Sequence, residues 1–313
     1  MATRNQFVND NFAIFLDGIL DSYKFDINIS DWIVYPTGNC IDIGIRIYNI
    51  SNVNSLYVYV PYKITSSDIQ DLAPFFGDEK VARAITNTYA NITTSTSASI
   101  IEIKYTKRTD IIVFLSMLDC TLQTCENGTI ICFSFDKIHS SIKENSCYVT
   151  FRIPHESLNK IFEHKKPDYR FSFDSPIITC NYQHTIKINE FRALPLKVRQ
   201  MFSLKKQCIN KVIFFLTSVD KINISNNICE NIRPLEYNLL ESYIPQAFKT
   251  SNSYVYQWMK FPSKYFSFSF KCSTHRIQLL SLLLYSLIII TLAISGNILW
   301  ELLKLTPLFN WLQ

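Results

Sequence analysis

Between positions 41 and 48, Ile41, Ile43, Ile45 and Ile47 alternate with Asp42, Gly44, Arg46 and Tyr48. Successive side chains on a strand point to opposite faces, so this period of two predicts a half-buried strand with one apolar face. Leu56, Val58 and Val60 alternate in the same way with Tyr57 and Tyr59, and the run stops at Pro61. Further strands are expected over 99–105, 111–118, 129–135, 147–153, 169–173, 185–189, 211–217, 253–258 and 265–270. Many of them are separated by Asn-, Ser- or Asp-bearing turns. Helical patterns are fewer. Ser66 and Ser67 can cap a short helix over 68–73, and acids open a second one over 78–86. Pro154 and Pro234 can each begin a helix, over 154–162 and 234–243. The expected fold is therefore mainly β, sandwich-like or α+β, with a few short helices. A polar, lysine-bearing seam over 136–145 suggests two β-rich lobes, 1–143 and 144–270.

One pattern has no alternation. Ile277 to Trp300 is 24 residues without a charge. As a helix it would be about 36 Å long, against a hydrocarbon core of about 30 Å. This predicts a single transmembrane helix over 277–300. Lys260, Lys264, Lys271, His275 and Arg276 precede it, whereas Lys304 follows it beside Glu301. The positive-inside rule then places the N-terminal region in the cytoplasm and a short interfacial tail, 301–313, on the far side. The first twenty residues, with Asp17 in the apolar patch and no small-residue cleavage site, do not read as a signal peptide. Five sequons, at Asn28, Asn49, Asn91, Asn127 and Asn223, favour the opposite topology, but such triplets arise readily in an Asn- and Ser-rich chain. On the helix, Ser281, Tyr285, Thr291 and Ser295 share one side, a stripe through which two copies could associate.

Composition narrows the chemistry. The chain has six glycines in 313 residues, roughly 2% where about 7% is usual. None of their spacings meets a dinucleotide fingerprint, a P-loop or a nucleophile elbow. The 23 Phe and 17 Tyr suit pleated, half-buried surfaces and reinforce the β assignment. Nine cysteines include no CxxC pair, so a zinc ribbon is not expected, and cysteines inside apolar runs read as small reduced hydrophobes. His155 and His164, in HESLNKIFEH, lie nine apart and on opposite sides of a helix. That excludes the HExxH pattern and predicts a solvated helix surface. No catalytic, cofactor or metal-ligating set emerges.

Formal net charge is +5, but 152–211 carries twelve basic residues against five acidic ones, a net +7. Aromatic residues such as Phe151, Tyr169, Phe171 and Phe191 are interleaved with these cations. Lys165, Lys166, Arg170, Lys197, Arg199, Lys205 and Lys206 are therefore the expected contacts to an anionic ligand or membrane surface. The expected function is a membrane-tethered binding, sensing or scaffolding module, with a cytosolic protein or an anionic molecule as partner and no cofactor. The alternative is a membrane-perturbing effector of the bacterial defence or toxin type, triggered when a ligand oligomerises the transmembrane helix.

Overall fold

A computed structural model describes residues 4–33, 39–86, 92–97, 100–105, 112–115, 120–135, 146–156, 177–202, 206–219, 222–225, 229–249, 253–261, 265–277 and 279–304. The strands in chain order are β1 (Arg4–Gly18), β2 (Ser22–Ile33), β3 (Cys40–Tyr48), β4 (Val53–Val60), β5 (Gln70–Asp71), β6 (Ile92–Ser97), β7 (Ile100–Tyr105) and β8 (Ile112–Leu115). They continue with β9 (Cys120–Cys125), β10 (Gly128–Ser134), β11 (Ser146–Pro154), β12 (Ile177–Ile188), β13 (Lys206–Ser218), β14 (Asn223–Ser225), β15 (Asn231–Pro234), β16 (Tyr254–Lys260) and β17 (Phe266–Ile277). Four α-helices are described: α1 (Glu79–Thr86), α2 (Leu196–Phe202), α3 (Tyr237–Leu240) and α4 (Leu279–Lys304).

The strands form two mixed sheets. Seven make the order β14-β17-β12-β1-β4-β10-β9; ten make β15-β16-β13-β2-β3-β11-β8-β7-β6, with β5 paired to β11. Each sheet draws strands from both sides of position 143. Both are organised around a central parallel seam, β1 with β12 in one and β2 with β13 in the other. Outward from the seams the neighbours are antiparallel: β4 and β17 in the first sheet, β3 and β16 in the second. The route β1-β2-β3-β4 is thus answered by β12-β13-β16-β17, laid out on the opposite side of the seam.

Period-two patterning explains why the sheets face each other. Phe25, Ile27 and Ile29 on β2, Ile41 to Ile47 on β3, and Phe214 and Leu216 on β13 bury one face of the ten-stranded sheet. They join Phe12, Ile14 and Leu16 on β1, Val58 on β4 and Phe266, Phe268 and Phe270 on β17 in one apolar layer. Burying such side chains contributes roughly 1.5–3 kcal/mol each. On the far face of the seven-stranded sheet, Leu194 and Val198, the latter on α2, cover Ala13, Phe15 and Ile130. The outer face of the ten-stranded sheet carries a separate cluster, with Phe76, Val81 and Ala82 near Tyr243 and Phe248.

Two details compensate for the shortage of glycine. Asn49 and Asn189 are the positive-φ positions occupied by other residues among those described, at 56° and 59°. Asparagine tolerates this region better than most side chains. Asn189 also extends the ladder past the end of β12. Its Oδ1 accepts from the Ile14 N–H at 2.8 Å, and its Nδ2 donates to the Ile14 carbonyl at 3.0 Å. Gln207 does the same for Leu16, at 3.0 and 2.9 Å.

The helix expected over 68–73 is not formed. Asp68 instead accepts from the Thr65 N–H and hydroxyl, both at 2.7 Å, and closes a 3-10 turn over Ser66–Asp68. Gln70 and Asp71 are then taken up by β11. The helix over 78–86 is present as α1, its Asp78 carboxylate accepting from the Lys80 N–H at 2.8 Å. The helix expected over 234–243 shrinks to α3. The strand expected over 169–173 lies outside the described residues. At the C-terminus, α4 is long and apolar enough to cross a membrane, and none of its residues over 282–304 is buried.

Candidate functional site

The outward-facing residues of the ten-stranded sheet form the floor of a cavity of about 390 Å³. Register arranges them in rows. Lys211, Asp26, Arg46 and Tyr148 stand side by side across β13, β2, β3 and β11. The next row places Ile213, Asn28 and Gly44 together, and a third Phe215, Ser30, Asp42 and Arg152. Phe76, Ile85, Leu240 and Tyr243 add an apolar and aromatic wall, in which the Phe76 and Tyr243 rings meet edge-on. Gly44 is needed in the floor: a Cβ there would run into the Tyr148 ring, which crosses it. Tyr148 accepts a hydrogen bond from Asn28 Nδ2 at 3.0 Å, and burial pushes its hydroxyl pKa up to about 12.

Charge on this floor is unbalanced. Asp26 stands between two cations but accepts from neutral donors, Tyr48 at 2.6 Å and Asn210 at 2.9 Å. Arg46 stacks its guanidinium over the Tyr48 ring at 5.1 Å, and its Nε is buried with no hydrogen-bond partner. Among the described residues neither Arg46 nor Lys211 makes an ion pair. By contrast, Arg152 and Asp42 are a closed pair. Nε and Nη2 of Arg152 donate to the two carboxylate oxygens at 2.6 and 2.8 Å, and Nη2 also donates to the Tyr243 carbonyl at 3.0 Å. Trp32 Nε1 adds a 2.8 Å bond to Asp42, and the guanidinium lies over the Trp32 and Tyr243 rings. Burial opposes the charge on Arg152, but the Asp42 carboxylate outweighs it and holds the guanidinium protonated.

A second polar set lies between the sheets, where the apolar ladders end. Asp10 on β1, Asp31 on β2, His184 on β12 and His155 just after β11 all face inward and are at most 2% exposed. They form a closed ring. Asp10 Oδ2 lies 2.8 Å from His155 Nε2 and 3.3 Å from His184 Nε2. Asp31 Oδ1 lies 2.9 Å from His155 Nδ1, and its Oδ2 is 3.3 Å from His184 Nδ1. The last contact is misaligned, so both atoms lack a hydrogen bond. Tyr62 stacks on His155 and Phe270 meets His184 edge-on. Burial penalises every charge here, but the opposed charges win. Both aspartates are held below the usual carboxylate range. His155 is pushed up to about 10 by the Asp31 charge and by its bonds to both carboxylates, and His184 rises in the same way. Asp10, His155 and His184 also present ligand atoms close enough together to hold a metal ion.

Among the described residues, the sequence-derived anion contacts Lys197, Arg199 and Lys206 line neither place. Lys197 and Arg199 sit on α2, and Lys206 begins β13 as an exposed residue. Lys165, Lys166, Arg170 and Lys205 lie outside the described residues. In the membrane-type helix, Thr291 donates to the Leu287 carbonyl at 2.8 Å, so its hydroxyl is satisfied internally. Tyr285 is half-buried and Ser295 exposed; the Ser281 side chain is outside the described set.

His155 corrects the expectation of a solvated helix surface: it is fully buried and locked between two carboxylates. Arg152 is likewise buried in an ion pair, and Phe151 belongs to the core. Cys40, Cys120, Cys125, Cys132, Cys147, Cys208 and Cys229 are free thiols. The ring residues were missed because their partners lie far apart in sequence. The available signal was a lone charged or imidazole side chain at an inward position of an apolar run, at Asp10, Asp31 and His184. No family model, curated protein or solved structure matches this chain.

Proposed function

We propose that this chain is a membrane-tethered recognition module whose β-sandwich binds a small anionic ligand in the outer-face cavity. The observation that carries the reading is the row Lys211-Asp26-Arg46, with two cations on one acid and a buried, unsatisfied Arg46 Nε. A buried donor without a partner is costly, and an anion is the chemistry that would satisfy it. Aromatic and apolar walls add surface for a ring or short chain. Helix α4 holds the module to the bilayer, and the basic flank from Lys260 to Arg276 favours a cytosolic sandwich.

The test is calorimetric titration of the full chain in detergent with small organic anions, beginning with any that co-purify. Arg46→Met and Lys211→Met should each weaken binding about tenfold or more. Lys197→Glu and Lys206→Glu, away from the cavity, should leave it within about twofold. A ligand indifferent to both Arg46 and Lys211 would remove the reading.

The effector alternative draws support from chain connectivity. Only Gln278 separates the end of β17 from the start of α4, so a shift in the seven-stranded sheet has a short route to the membrane helix. Ligand-dependent dye leakage from vesicles, abolished by Thr291→Leu with Ser295→Leu, would select it. Leakage that persists in that double variant would reject the stripe as its cause.

A further inference from the structure

We infer that the buried ring is a binding site for one divalent transition-metal ion, with zinc as the reference ion, held by Asp10, His155 and His184 and oriented by Asp31. The inference is independent of the anion-binding reading of the outer cavity, which lies across the ten-stranded sheet.

The argument rests on which atoms face which. Asp10 offers one oxygen to both Nε2 atoms, at 2.8 and 3.3 Å. Asp31 faces both Nδ1 atoms, at 2.9 and 3.3 Å. In metal centres, a ligating imidazole characteristically gives its other nitrogen to a carboxylate, which fixes the tautomer and the ring plane. Here a single carboxylate takes that position for His155 by a hydrogen bond and faces His184 Nδ1 at 3.3 Å without one. Ligand atoms about 2.0–2.1 Å from a tetrahedral zinc stand roughly 3.3 Å apart. The Asp10–His184 separation already has that value, and the Asp10–His155 contact must open by about half an ångström.

Two further features favour a guest over a purely ionic ring. Asp31 Oδ2 and His184 Nδ1 face each other at 3.3 Å without a hydrogen bond, so the ionic ring holds His184 less firmly than His155. Charge also balances: one divalent ion with two neutral imidazoles and two carboxylates makes a neutral site. Complete burial assigns the ion a structural role, tying the two sheets together, since Asp10 and His184 come from one and His155 follows a strand of the other. Nitrogen and oxygen donors suit zinc, cobalt, iron or manganese.

Full-length protein expressed with zinc, dialysed against a chelator and analysed by elemental mass spectrometry should retain one zinc per chain. The cobalt-substituted protein should show the visible bands of a four- or five-coordinate nitrogen–oxygen site, with no thiolate charge-transfer band. His184→Ala should lose the ion, and Asp31→Asn should weaken its retention about 10–100-fold. Asp42→Asn, in the ion pair on the other side of the sheet, should keep it. Zinc well below one per chain in the wild type overturns the inference and leaves a proton-filled ionic ring. A thiolate band, or retention of the ion by His184→Ala, also overturns it by moving the metal elsewhere. The wild-type stoichiometry and cobalt spectrum decide the matter even where a variant fails to fold.

Discussion

The ten-stranded sheet carries a buried ion set on each face, and the two are assembled in opposite ways. On the outer face, Asp42 and Arg152 are direct cross-strand neighbours, so sheet register alone brings them together. Their geometry is bidentate, and Asp42 borders the cavity. On the inner face, Asp10, Asp31, His155 and His184 come from both sheets and meet only when the sandwich closes. The first set is a property of a sheet; the second is a property of the packing between sheets. Charges of the first kind are satisfied within one sheet, beside the cavity, whereas those of the second must satisfy one another or a guest across two sheets.

That contrast can be broken most severely at the ring. Asp31→Asn leaves imidazoles without their shared carboxylate in a dry interior, and should cost about 3–5 kcal/mol of stability. Chemical denaturation of the full chain in detergent would measure it. Arg152→Met should cost less, about 2–3 kcal/mol, because Asp42 keeps the Trp32 bond and borders the cavity. The double variant Asp42→Asn with Arg152→Met should recover part of that loss, which a double-mutant cycle would read as coupling. Gly44→Ala sharpens the comparison on the cavity side. Pushing Tyr148 off its place should cost about 1–2 kcal/mol and lower anion affinity without touching the ring. At the small end, Thr291→Leu with Ser295→Leu should leave the unfolding midpoint of the sandwich unchanged, since both side chains are exposed on α4.

Much of the scaffold was legible in the sequence, because period two is a local signal. The isoleucines of β3 read directly as one apolar face with Asp42, Gly44 and Arg46 on the other; that this other face floors a cavity is visible only in the structure. The apolar C-terminal helix was equally plain. What stayed hidden was non-local. β1 was obscured because Asp10 and Asn11 interrupt its apolar run, and their partners lie more than 140 residues away. The basic excess of 152–211 does not by itself locate a site, for a related reason. Charge counted along the chain mixes Arg152, which is paired in the interior, with Lys197 and Lys206, which face solvent away from the cavity. The cavity's own cations, Arg46 and Lys211, come from strands that sequence alone does not place side by side.

The amide rungs on β1 bear on how the protein avoids sticking to itself. Where β12 ends, Ile14 and Leu16 would present free N–H and C=O groups along a stretch of strand, a template onto which another chain could add. Asn189 and Gln207 occupy those groups in place of a neighbouring strand. The gap at the end of the parallel seam is thereby closed from within, and two carboxamides act as gatekeepers against intermolecular strand exchange.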